Sequence, residues 1–199
     1  MAKQFGEAGL RLARLARAED FRPVKTESIR KSISAETTFN TDIKDQTDLE
    51  KKLWAVCTKT AGRAKAKNMA GRVVTLKLKS SRFESITRRR TLPQPVQLAD
   101  VIFRTCVPML EKEVAKSHGS KKFRLIGAGI SGLSAPVGDS GDLLDPSAVK
   151  RGIAERASDK AREKFGKDAV MTGRGFKSAK ARESQAYSLP EKIKPDSLD

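Results

Sequence analysis

The chain has 199 residues and a formal net charge of +17, from 41 Lys and Arg against 24 Asp and Glu. That length fits one domain of ordinary size with extensions, and two Cys and one His exclude a disulfide scaffold or a tetrahedral zinc site. No apolar run approaches the roughly 20 residues of a membrane span, so the excess of cations points to a cytoplasmic protein with a polyanionic partner, nucleic acid before membrane.

Residues 4–19 favour a helix, with Leu10, Leu12 and Leu15 set among arginines, and Pro23 stops it. In KSISAETTF, Ile33, Ala35 and Phe39 alternate with Ser32, Ser34, Glu36 and Thr38, which predicts a half-buried strand. Thr47 and Glu50 have capping-box spacing, and Leu49, Leu53, Val56, Cys57, Thr60 and Ala64 then recur at helical intervals up to the cations Lys65 and Lys67. Gly71 predicts a turn into VVTLKLK, a strand with Val74, Leu76 and Leu78 inward and Thr75, Lys77 and Lys79 outward. The polar segment 80–82 leads to a third strand around Ile86–Leu92, closed by Pro93 and Pro95. A second amphipathic helix places Leu98, Val101, Ile102, Thr105, Met109 and Leu110 on one face, with Pro108 expected to kink it. FRLIGAGISGL is the fourth strand.

The predicted fold class is therefore α+β: a βαββαβ unit with a four-stranded sheet, two helices on one face and the other face open. The expected divisions are a helix over 1–20, a linker over 21–30, the folded domain over 31–134, a linker over 135–146, a helical segment over 147–172 and a disordered basic tail over 173–199.

The fourth strand contains Gly127-x-Gly129-x-x-Gly132, the spacing of a dinucleotide-binding loop. Such glycines must lead into a helix whose N-terminus faces a pyrophosphate, and here Pro136, Gly138 and Gly141 follow instead. They predict a strand closely approached by another surface, and no cofactor. Asp42, Asp45 and Asp48 lie at a strand exit and a helix start, where turning and capping account for them, so no metal site is assigned. Trp54, Phe103, Cys57 and Cys106 fall on or near apolar helix faces and read as core, with both thiols reduced; His118 has no role.

Four separated motifs, KSISAETTF, AGRVVTLKLK, ITRRRTLP and FRLIGAGISGL, come in the order and spacing of the little finger domain of Y-family translesion DNA polymerases, nearest the bacterial polymerase IV branch. GLRLARLARAEDFRPV resembles the end of that family's thumb, and SAVKRGIAERASDKAREKFGKDAV its C-terminal helix. The resemblance implies sequence-independent binding of primer–template duplex DNA by the open sheet face, in translesion synthesis and repair. The candidate contacts are Lys31, Ser32 and Ser34 on strand one, Lys77 and Lys79 on strand two, and Thr87, Arg88, Arg89 and Arg90 on strand three. Strict alternation favours Thr87 and Arg89 as the outward pair, unless a bulge intervenes.

The family's palm, with the carboxylates that hold Mg2+, would lie before Met1, so this stretch alone is expected to be inactive as a polymerase and to need no cofactor. A separate catalytic chain completing a split polymerase, or an independent nucleic-acid-binding role, are the alternative readings. Asp142–Asp145 and Gln185–Leu189 are degenerate candidates for a sliding-clamp peptide.

Overall fold

The computed structural model describes residues 2–23, 29–116, 120–136, 146–166, 169–170 and 173. The chain divides into two units, Met1–Arg30 and Lys31–Asp199. The first holds helix α1 (Ala2–Ala16), which has a left-handed Gly6 inside it and keeps Leu10, Leu12 and Leu15 exposed.

The second unit runs β1 (Ser32–Ile43), α2 (Gln46–Lys65), β2 (Ala70–Ser80), β3 (Ser85–Val96), α3 (Ala99–Ala115), β4 (Phe123–Ser134) and α4 (Pro146–Phe165). The sheet order is β1-β4-β2-β3 with every neighbouring pair antiparallel. β1 and β2 are therefore parallel with β4 between them, and each crossover helix spans one intervening strand. α2 packs over β1 and β4, and α3 over β2 and β3. The α+β, βαββαβ fold read from the sequence is the fold observed.

Alternation in the strands and helical spacing in α2 place the core where expected. Val74, Leu76 and Leu78 of β2 are buried, as are Ile33 and Ala35 of β1 and Leu49, Leu53, Val56, Cys57 and Ala64 of α2, while Trp54 is half-buried. Trp54 and Phe103 meet edge to face, with centroids 5.3 Å apart. Both cysteines are buried between these helices, and burial, followed by a hydrogen bond with Cys106, pushes the Cys57 thiol well above its ordinary range.

Several local expectations are corrected. The N-cap of α2 is Asp45, whose carboxylate accepts the Asp48 N–H at 2.9 Å, so Thr47 lies inside the first turn. The chain reverses at Asn68 (φ 49°) rather than at Gly71, which lies within β2; a Cβ on Gly71 would fall 2.7 Å from Ile130 Cβ. Pro93 and Pro95 lie inside β3 instead of ending it, because β3 is an edge strand and carries extra residues opposite Gly71–Val73. In α3, Phe103 and Cys106 are buried while Val101 and Met109 are only half-buried. The helix runs through Pro108, which lies on the solvent side and has no N–H to donate to the Arg104 carbonyl.

Helix α4 is docked through polar contacts rather than an apolar stripe. The Glu155 carboxylate accepts from the backbone N–H groups of Ala99 (2.9 Å) and Asp100 (3.4 Å), capping α3, whose own N-cap Leu98 offers no side-chain acceptor. Lys65, near the end of α2, pairs with both Glu155 and Asp159, and Arg151 pairs with Asp100 at 2.8 Å.

Candidate nucleic-acid interface

The register builds the open face row by row. Paired residues in an antiparallel sheet share a face, so the strand order gives four rows: Ser32–Ser131–Val73–Thr91, Ser34–Gly129–Thr75–Arg89, Glu36–Gly127–Lys77–Thr87 and Thr38–Leu125–Lys79–Ser85. Three cations, hydroxyls in every row and one acid, Glu36, make up the polar groups of these rows. Among the described elements of the second unit, the helices pack on the opposite face.

Six of the nine sequence-predicted contacts fall on this surface. Ser32, Ser34, Lys77, Lys79, Thr87 and Arg89 belong to the rows, and Lys31 is exposed just ahead of the first ladder pair. Arg88 and Arg90 do not share it. They pair with Leu76 and Val74, which point to the helices, and β3 has no bulge between Ser85 and Thr91 to reverse them. Arg88 reaches α3, where its Nε lies 2.9 Å from Glu113. Placing all three arginines on the open face is thus corrected: Arg89 alone of them projects there.

Glu113 is 6% exposed and also bonds Lys116. Burial pushes its carboxyl up, but Lys116 and Arg88 outweigh burial and hold it below the ordinary glutamate range. A folded-state value below the unfolded one contributes stability above the unfolded value, and this contribution is lost as pH falls through the folded value. Glu113→Gln should accordingly lower the urea midpoint at neutral pH, with the gap to wild type closing below the ordinary glutamate range. A gap that persists unchanged in acid contradicts this role.

Gly127 and Gly129 occupy the middle of β4, and the chain continues from them as strand through Ser134. The surface that approaches them is β1 itself: a Cβ would stand 2.9 Å from Glu36 Cβ at Gly127 and 2.9 Å from Ser34 Cβ at Gly129. The bare glycines leave a shallow floor across which Lys77 Nζ reaches Glu36 Oε2 at 2.7 Å.

Phe83 was not singled out in the sequence. It is exposed at the β2–β3 turn with φ 65°, and Arg124 and Lys79 lie over its ring, 4.3 and 5.3 Å from the centroid. A left-handed phenylalanine has no composition signal. Arg124 is itself the extra residue of a register shift that turns Phe123 into the core, and it reaches Asp42 at 3.3 Å. His118 and both clamp-peptide candidates lie outside the described residues. Among the described residues no cluster of three or more His, Cys, Asp or Glu is placed to hold a metal ion, and no helix is long and apolar enough to cross a membrane.

The molecule is an α+β domain with a hydroxyl-rich, cationic open sheet face. Residues 30–143 match the family described as impB/mucB/samB family C-terminal domain, and the chain belongs to that family. Over 177 residues it is 47% identical to DNA polymerase IV of Brucella melitensis biotype 1, covering 88% of this chain and 39% of that protein. It is 41% identical to DNA polymerase IV of Caulobacter vibrioides, covering 89% and 43%. The chain thus spans about two fifths of the length of these relatives. The Y-family, polymerase IV-like resemblance holds. A solved complex of beta-clamp processivity factor and little finger domain of PolIV is similar at 17% identity and TM-score 0.42, over 56% of this chain and 97% of that one.

Proposed function

We propose that the open sheet face holds duplex DNA along its sugar–phosphate backbone, without reading sequence, as the little finger part of a polymerase IV-like translesion enzyme. The observation that carries this is the row pattern: Lys77, Lys79 and Arg89 project from one uncovered face among serine and threonine hydroxyls. Cations and hydroxyls bond phosphate oxygens, which position a duplex independently of its bases. The family membership and the relatives named DNA polymerase IV support the same reading. Nucleotidyl transfer needs carboxylates converging on paired metal ions, so the contribution proposed for this stretch is grip on the substrate.

The test compares two sets of substitutions on opposite faces of the same strands. Log affinity for duplex DNA should fall linearly with log salt, by about 0.9 per phosphate contacted. Replacing Lys77, Lys79 and Arg89 together with alanine should flatten that slope by about two to three units and weaken binding to all sequences alike. Replacing Arg88 and Arg90 should leave the slope nearly unchanged. If the second set flattens the slope and the first does not, the duplex lies elsewhere.

A further inference from the structure

We infer that Glu36 is an affinity-limiting residue of the DNA face: it competes with phosphate for the Lys77 ammonium and so restrains how tightly a duplex is held. The inference rests on the DNA-binding reading above and concerns one residue within it.

Glu36 and Lys77 are not on neighbouring strands. β4 lies between β1 and β2, so their backbones stand about 9–10 Å apart. Two side chains so placed would ordinarily be separated by the residue between them. Here that residue is Gly127, and the Lys77 ammonium crosses the bare position to lie 2.7 Å from Glu36 Oε2. In the four rows Glu36 is the one acid, and it faces the central cation. Arg89, one row away, has no carboxylate partner among the described residues, and Lys79 rests over the Phe83 ring.

The pair is exposed on both sides, 44% for Lys77 and 51% for Glu36. An exposed pair contributes only about 0–1 kcal/mol, so it cannot lock Lys77 away. A phosphate displaces the carboxylate, and the displaced carboxylate then stands beside the DNA backbone and draws a counter-cation. The net counterion release is smaller than an unpaired lysine would give. A sheet that must accept any sequence, and let the duplex advance past it, is served by a grip moderated in this way.

Duplex binding by the full chain, measured by fluorescence anisotropy across a series of KCl concentrations, tests the inference with wild type, Glu36→Gln, Lys77→Gln and the double variant. Glutamine keeps the shape at position 36 and removes the charge. Glu36→Gln should bind about two- to five-fold tighter, the range an exposed pair allows, with a salt slope steeper by up to about 0.9. In the Lys77→Gln background the same change should gain little. Unchanged affinity and slope for Glu36→Gln, with wild type binding in a salt-dependent way, overturns the inference and leaves the DNA reading intact. An equal gain with and without Lys77 also overturns it, since Glu36 would then act by repulsion alone. Absence of salt-dependent binding by wild type removes the DNA reading itself, and this inference with it.

Discussion

Gly129→Val is expected to destabilise the domain by about 3 kcal/mol or more, at or beyond the upper end of typical overpacking changes and a large part of the ~5–15 kcal/mol that holds an ordinary domain folded. Cross-strand Cβ atoms normally stand about 4.5–5.5 Å apart. A Cβ at Gly129 would lie 2.9 Å from Ser34 Cβ and 3.3 Å from the Ile33 carbonyl oxygen, so neither neighbour can yield by rotating a side chain. β1 would have to shift, and with it Ile33 and Ala35, which are buried against the helices. Gly62→Ala is the control within the same molecule. Gly62 lies on the exposed side of α2 with nothing within 4 Å of its would-be Cβ, and alanine there should stabilise by about 0.5–1 kcal/mol. Urea denaturation of both variants checks the pair. A Gly129→Val midpoint indistinguishable from wild type would show that the strands tolerate the side chain and that the glycine floor is not required by packing.

What the sequence made legible was whatever depends on local period. Alternation in SISAETTF and VVTLKLK places the core and the open face, and parity alone separates Arg89 from Arg88 and Arg90. Grouping all three arginines as contacts set that parity aside, and the ladder restores it. What stayed hidden depends on partners distant in the chain. Nothing local says that β3 is an edge strand, so Pro93 and Pro95 read as terminators although an edge tolerates them. Asp45 and Thr47 both qualify as caps for α2, and only the backbone path into the helix selects Asp45. The Lys77–Glu36 pair depends on β4 inserting a glycine between two strands that sequence order would make neighbours. One long-range contact did leave a trace: α3 begins after Leu98, a poor cap, and a helix start without its own acceptor must find one elsewhere.

That acceptor is Glu155, and Glu155→Ala is expected to destabilise the domain by about 2–3 kcal/mol. A lost N-cap costs about 0.5–2 kcal/mol, and Lys65, whose side chain is 20% exposed, is left with Asp159 alone. Breaking a buried pair outright costs about 3–5 kcal/mol, and the retained Asp159 keeps the loss below that range. Three functions converge on one carboxylate: it bonds the first N–H groups of α3, it sits at the positive end of that helix dipole, and it receives Lys65 from the far end of α2. The family match ends at residue 143, three residues before α4 begins, so the group that caps α3 lies beyond the matched domain. Glu155→Gln separates the roles, since the amide oxygen can still accept from one N–H while Lys65 keeps only the Asp159 carboxylate; its cost should fall between wild type and alanine. Hydrogen exchange at Ala99 and Asp100, read beside urea midpoints, distinguishes capping from general loosening. In Glu155→Ala these two amides should lose protection well before those of the β2–β4 ladder. If Glu155→Ala leaves both the midpoint and these amides at wild-type values, α4 is an appendage, and α3 is capped by water.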